Sequence, residues 1–485
     1  MNRLVLLFAL LSFLPSCTQS LSHRAQIENI LPPPSLEPSI AESLKTPYFA
    51  QGNWPKLFWW ESFNSPDLNS LIAEALKCNP SIKEIESKIR YARQEAIITR
   101  SKLFPLVFFD ATDTWEHLSK NGLYKALNPN IPTNVQLIDL TLSFRYEFDF
   151  WGKNANLFKA AIGEAFAEEA ESAAVTLITT TAISQAFFAL KTNLVRKELY
   201  SALLHVRQSL FDLTTLMQQK ALFSELSPLL SQEKKLEAEQ FIADIDAEIA
   251  QNRHLINILA GKSPDALLCI DATLPPLPET LELPSHLSCD LLSRRPDLMA
   301  QIWRAKALAY RTGAAIADFF PDVNLMGFLG LESVNFKRLF QANSLTFGLQ
   351  PAIHLPIFTA GAILANVNAY KAAFDEAIFA YDQLLLQSAG EVADALTLIT
   401  ALYQKKSMQE KVVETAKARL ELTTLRKSSG LDSLFEEYAL QEEVILKQLD
   451  DVMLLYNQYL MTVKLIQALG GGYEAPHVPL RAACT

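Results

Sequence analysis

Glycine is scarce in this chain, at 15 of 485 residues. It is among the strongest helix breakers, so its scarcity leaves room for long helices. Proline is also missing over long stretches: none lies between Pro356 and Pro476, or between Gly152 and Pro228. Positive charge falls short of negative, 43 Lys and Arg against 53 Asp and Glu, for a net charge of −10. No basic stripe offsets this, which argues against nucleic acid as a partner. Beyond the N-terminus no apolar run reads as a membrane-crossing helix. The seven histidines are scattered, and there is no GxSxG, HExxH or glycine-rich phosphate loop, so neither an enzyme nor a cofactor is expected. Five cysteines show no CxxC or Cys/His spacing for a metal. Cys269 and Cys289 flank a proline-rich stretch; a bridge between them and unpaired thiols both stay open.

What is present begins with MNRLVLLFALLSFLPSCTQS. Arg3 followed by a short apolar core, Leu4 to Leu14, is a secretory signal. It ends in Leu14-Pro15-Ser16-Cys17, which resembles a bacterial lipobox. That resemblance implies cleavage after residue 16 and a diacylglycerol plus an acyl chain such as palmitate on Cys17. Thr18 stands where a retaining aspartate would hold a lipoprotein at the inner membrane, so the outer membrane is the expected address. Residues 17–50, with Pro32, Pro33, Pro34, Pro38 and Pro47, read as an anchor and extended tether.

The remainder says nearly the same thing twice. CNPSIKEIESKIRYARQEAIITRSKLFP in the first half answers RRPDLMAQIWRAKALAYRTGAAIADFFP in the second. Pro80 to Pro105 and Pro296 to Pro321 are both 25 residues apart, at an offset of 216. Each block opens with proline in its first turn and closes on Phe-Pro. An alternating strand, a polar loop and a second alternating strand follow, ending near Gly152 or Gly361. Then come long helices, from Lys153 to about Gln218 and from Ala362 to Ser429. Each would be about 100 Å long, which points to coiled-coil or tube architecture rather than a globular core. Both are broken at the far end, by SELSP (224–228) and by SSG (428–430), and return as a second helix. The repeats are read as 51–262 and 287–472, with 263–286 as a proline-rich linker and 473–485 as a tail.

The four strands are expected near 106–117, 136–150, 323–334 and 344–357. Leu140, Leu142, Phe144, Tyr146, Phe148 and Phe150 alternate with Thr141, Ser143, Arg145, Glu147 and Asp149. Such length and alternation are the signature of a transmembrane barrel strand, with those six apolar side chains facing lipid. Four strands cannot close a barrel, so chains must share one. Two copies give eight strands and three give twelve, and periodicity does not choose between them. A lipid-anchored coiled-coil scaffold without a pore would use the helices but leave the strands idle.

WWESFNSPDLNSLIAEALKCNP, YEFDFWGKN, LLSRRPDLMAQ, ADFFPDVNL, LPIFTAGAILANVNAY and ALGGGY, in this order and duplicated layout, resemble the TolC-like outer-membrane efflux proteins. The likeness runs from Trp60 to Tyr473 and is to the lipoprotein branch typified by NodT and OprM. It implies a mainly helical fold with a membrane β-barrel: a homotrimer with a shared twelve-stranded barrel and a periplasmic α-helical tunnel. It also implies a periplasmic adaptor (membrane fusion) protein, an inner-membrane pump of resistance-nodulation-division type, and outer-membrane lipid as partners. The implied role is a passive exit duct for drugs or other small molecules in a Gram-negative outer membrane; a protein-secretion outlet shares the architecture. The family closes its periplasmic end with aspartates near the second helical turnaround. Here the stretch is SSGLDSLFEEYALQEE, with Tyr438 where the aspartate would be. Asp432, Glu436, Glu437 and Tyr438 are therefore the candidate gate residues.

Overall fold

The computed structural model describes residues 34–278, 280–284 and 294–475. Cys17, Cys289 and Cys484 lie outside the described residues; Cys78 and Cys269 are exposed and form no disulfide among the described residues. The described chain divides into two compact units, one of residues 88–168 and 301–380, the other of 34–87, 169–300 and 381–475.

The elements follow the duplication. The first half holds helix α1 (Glu37–Ser43), strand β1 (Phe49–Gly52), a 3-10 turn (Trp59–Phe63), and helices α2 (Pro66–Cys78) and α3 (Pro80–Ser101). Strand β2 (Leu106–His117), short helix α4 (Leu123–Leu127) and strand β3 (Asn134–Phe148) come next, then helices α5 (Lys153–Gln219) and α6 (Leu226–Leu259). The second half holds β4 (Leu281–Pro284), α7 (Pro296–Ala317), β5 (Asp322–Ser333), β6 (Leu345–His354), α8 (Ala362–Ser428) and α9 (Leu434–Ala468). Both α5 and α8 are unbroken over 67 residues.

The segments read as an extended tether and linker hold more structure than their prolines suggested. Residues 37–43 are helical, with Pro38 in the first turn where its missing N–H costs nothing. Phe49–Gly52 pairs in parallel with Leu281–Pro284.

In the first unit, α7 packs closely on α5. A Cβ on Gly163 would sit 3.2 Å from the Ala307 Cβ, so a small residue sets the backbone separation. Above and below that point Phe166 meets Trp303 at 4.8 Å, and the Lys153 ammonium meets Asp318 at 2.8 Å.

In the second unit, one core joins Phe63, Leu68 and Ile72 to Ile183, Phe187 and Phe188 of α5 and to Tyr459 and Val463 of α9. The Phe188 and Tyr459 rings stack at 4.4 Å. Tyr459 is fully buried and its hydroxyl donates to the Pro275 carbonyl; burial pushes the phenol up to about 12. A second core joins Leu36 and Phe49 to Leu283, Val392, Leu396 and Leu465. The ALGGGY motif closes this unit. Gly470, Gly471 and Gly472 all have positive φ, and their Cβ positions would lie 2.0–2.3 Å from Arg294, Leu177 and Lys56. No side chain fits there.

One stretch in each of α5 and α8 is, by length and composition alone, apolar enough to cross a membrane, unlike the reading above. In α5, residues 172–190 carry no charge. Their polar groups are mostly hydroxyls, and Thr179 and Ser184 donate to backbone carbonyls four residues back. The core helix of a protein has the same composition, and just over half of this stretch of α5 is buried.

Candidate functional site: a four-stranded sheet with one apolar face

The four long strands form one antiparallel sheet in the order β2-β3-β5-β6. Register makes its two faces chemically distinct. Opposite Leu140, Leu142, Phe144, Tyr146 and Phe148 of β3 stand Leu331, Leu329, Gly327, Leu325 and Val323 of β5. On the same face β2 presents Val107, Phe109 and Ala111, and β6 presents Leu345, Phe347, Leu349 and Ile353. Phe347 and Ile353 are 73% and 74% exposed, although nothing in the chain's own packing requires large apolar side chains there. The Phe144 ring lies over Gly327, where a Cβ would meet Cε1 at 2.3 Å.

The other face is largely polar: Asp110, Thr112 and Thr114 on β2; Asp139, Thr141, Ser143, Arg145 and Glu147 on β3; Asn324 and Glu332 on β5; Thr346, Gln350 and His354 on β6.

The apolar face has a definite height. From Ile138 to Phe148 is about 33 Å of strand, or roughly 25 Å when tilted near 40°. That matches the hydrocarbon thickness a barrel must cover. Polar groups begin at its edge: Asp113 and Ser333 stand opposite Ile138, the Gln136 amide donates to Asp113 at 2.9 Å, and His117 meets Asn134 at 2.5 Å.

At the opposite end the expectation for Phe150 is corrected. The strand stops at Phe148, and Phe150 sits in the following turn, stacked on Phe148 at 5.5 Å. Asp149 is the reason. Its carboxylate accepts the backbone N–H groups of Asn154 and Ala155 at 3.0 and 2.7 Å, capping α5, and Gly152 takes a φ of +71° to complete the turn. The other expected strand ends shift by three residues at most, β3 starting at Asn134 and β6 ending at His354. Trp151 stacks on Phe320 at 4.7 Å and donates its indole N–H to the Pro321 carbonyl at 2.9 Å.

The candidate gate residues cluster at the α8–α9 turnaround, and each has a partner within the chain. Asp432 makes a two-pronged pair with Arg426 at 2.6 and 2.8 Å. That guanidinium holds its carboxyl below the usual carboxylate range. Glu436 and Ser433 form a reciprocal capping box at the start of α9. Glu437 is bound to Lys427 and accepts from the Thr424 hydroxyl at 3.2 Å. Tyr438 packs beside Leu203, Val206, Ile445 and Leu449.

Two features were not anticipated from sequence. One, in the second unit, is Arg295, which besides its neighbour Asp297 binds Glu391 and the Ala468 carbonyl. The other is that Phe108, Met326 and Phe328 lie on the polar face, at odds with a simple in/out alternation.

Residues 71–256 and 287–471 both match the Outer membrane efflux protein family, and the chain belongs to that family. It is 25% identical over 454 residues to the multidrug resistance outer membrane protein MdtP of Escherichia coli, covering 92% of each chain. It is also 25% identical over 444 residues to the probable outer membrane lipoprotein SilC of Salmonella typhimurium, covering 90% of this chain and 92% of that one. The crystal structure of the outer membrane protein VceC from Vibrio cholerae superimposes with a TM-score of 0.77 at 29% identity, covering 87% of this chain and all of the other. The protein is thus an outer-membrane efflux channel subunit with the TolC-like fold: long helices and strands of a membrane barrel. The members of this family are channels rather than enzymes.

Proposed function

We propose that three copies of this chain close one twelve-stranded barrel and form a passive exit duct for drugs or other small molecules, without catalysis. The observation that carries this is a sheet with one face apolar across all its strands from the level of Leu140 to that of Phe148, and two unpaired edges, β2 and β6. An open edge cannot face lipid. The two edge strands run in opposite directions, so β6 of one copy can pair antiparallel with β2 of the next, head to tail, until the ring closes. Eight strands would leave an interior filled by side chains. Twelve is the next multiple of four, and the polar face then lines water. Leu140, Leu142, Phe144, Tyr146 and Phe148 are the lipid-facing set.

Further parts of this reading rest on the family likeness and the sequence. Residues 51–262 and 287–472 are the two repeats. Cys17 carries the lipid anchor, in keeping with the lipoprotein name of the Salmonella relative. Drugs as cargo accord with the name of the Escherichia coli relative. Asp432, Glu436, Glu437 and Tyr438 belong to the periplasmic gate, where an adaptor protein couples the duct to an inner-membrane pump of resistance-nodulation-division type.

Purified protein in a planar bilayer tests the duct. Discrete ion conductance is expected, from a detergent-solubilised particle with the mass of three chains. A monomer that stays soluble without detergent, or a trimer that never conducts, would refute the proposal.

A further inference from the structure

At mid-height the polar face of the sheet carries two aromatic rings on a single level, apart from the aliphatic Val135 and Leu137 toward the loop end. Phe108 of β2 pairs with Ser143 of β3, Ser143 pairs with Phe328 of β5, and Phe328 pairs with Gly348 of β6. Ser143 is the midpoint of the stretch 138–148 that forms the apolar band on the other side. The two phenylalanines are separated by one strand, so they stand about 10 Å apart along the wall. Neither ring is buried: Phe108 is 51% exposed and Phe328 44%. The Phe328 ring leans over Gly348, where a Cβ would lie 2.5 Å from Cε1, so a glycine opposite makes room for it. One row nearer the helices, Leu106 and Met326 flank Arg145 and extend the apolar patch.

On a face that water would otherwise wet, exposed rings have no structural task. Core phenylalanines are covered; these are not. The charges around them have one dominant sign. Asp110, Asp139, Glu147 and Glu332 share the face with Arg145 as the one guanidinium. Carboxylates lining a confined lumen raise the local concentration of cations, and ring faces attract cations while offering apolar area.

We infer that Phe108 and Phe328 form an aromatic collar, halfway across the membrane on the lumen side, that transiently binds lipophilic cations: an ammonium or phosphonium attached to an aromatic or alkyl body. This rests on the duct reading above and narrows its cargo. Closed by three copies, the collar presents six rings. A twelve-stranded wall is roughly 24 Å across between backbones. A drug-sized cation passing through is therefore brought within reach of several rings.

The test uses the full-length channel in a planar bilayer. Tetraphenylphosphonium added to one side is expected to block the potassium current at a concentration at least tenfold below that needed with tetramethylammonium, which has the charge without the rings. In Phe108→Ser the block is expected to weaken at least threefold, and in the double variant with Phe328→Ser at least tenfold, with unblocked conductance retained. Should Phe328→Ser fail to assemble, Phe328→Leu keeps a cover over Gly348; a weakened block is expected there too. A conducting channel that both cations block equally, or whose block is unchanged in Phe108→Ser and Phe328→Leu, overturns the collar alone. A channel with no current at all overturns the duct and the collar together.

Discussion

Arg295 illustrates what a single side chain can hold together. Its guanidinium is buried and donates to Asp297 at 3.1 and 2.6 Å, to Glu391 at 2.6 Å and to the Ala468 carbonyl at 3.3 Å. It thereby ties the start of α7 to α8 and to the end of α9. Burial alone would lower its affinity for a proton, but the bonds to Asp297 and Glu391 outweigh that and hold it above the ordinary arginine range. Arg295→Ala would remove every one of these donors and leave a buried carbonyl without its partner. A loss of about 2–3 kcal/mol is expected, discounted because Glu391 is half exposed. Arg295→Lys should recover little, since an ammonium cannot reproduce the forked geometry. Thermal or denaturant unfolding in detergent measures this, and a change within about 0.5 kcal/mol would count against the assigned role. The Arg-Arg-Pro-Asp motif was plain in the sequence. Its purpose was not, because Glu391 and Ala468 lie 96 and 173 residues away.

At the scale of the element, the strand β3 separates two environments within one residue step. Phe144→Arg places a charge on the face proposed to meet lipid and strips the cover from Gly327. A loss of about 2–4 kcal/mol in barrel stability is expected near the midplane. Ser143→Arg, one residue earlier, points to the polar face and should cost less than about 1 kcal/mol. Refolding into liposomes, followed by the mobility shift of the folded barrel, compares the two; equal losses would reject the face assignment. Alternation revealed this strand because its period is two and its length suits a bilayer. The strand's end at Phe148 was not readable in the same way. Asp149 continues the alternation in sequence, yet its carboxylate is engaged with the first N–H groups of α5. Capping chemistry overrode the pattern there, and Phe150 went with the turn. Long helices free of proline were legible almost to the residue, since nothing inside them breaks the ladder of backbone bonds.

For the whole molecule, the charges on the polar face act as a sum. Asp139 and Glu332 stand directly opposite each other on adjacent strands, a like-charged pairing that costs stability where it occurs. Each copy adds the same excess, so a closed ring would concentrate negative potential inside the barrel. Reversal potentials across a potassium chloride gradient are expected to show preference for the cation. The double change Asp139→Asn with Glu332→Gln should reduce that preference. Anion preference in the unmodified channel would contradict the charge assignment.

The sequence by itself determined the duplication, the long helices and the four alternating strands, because each of these is written in local spacing: prolines at an offset of 216, breakers at helix ends, and a period of two; the family was legible in the resemblance of whole stretches such as YEFDFWGKN and ALGGGY. Only the tertiary structure decided which residues share a level across the sheet, where Phe108 and Phe328 fall on the polar face, and that Glu391 and the Ala468 carbonyl reach Arg295. Those relations depend on strand register and on helices meeting across hundreds of residues, and neither is encoded in the spacing of any single segment.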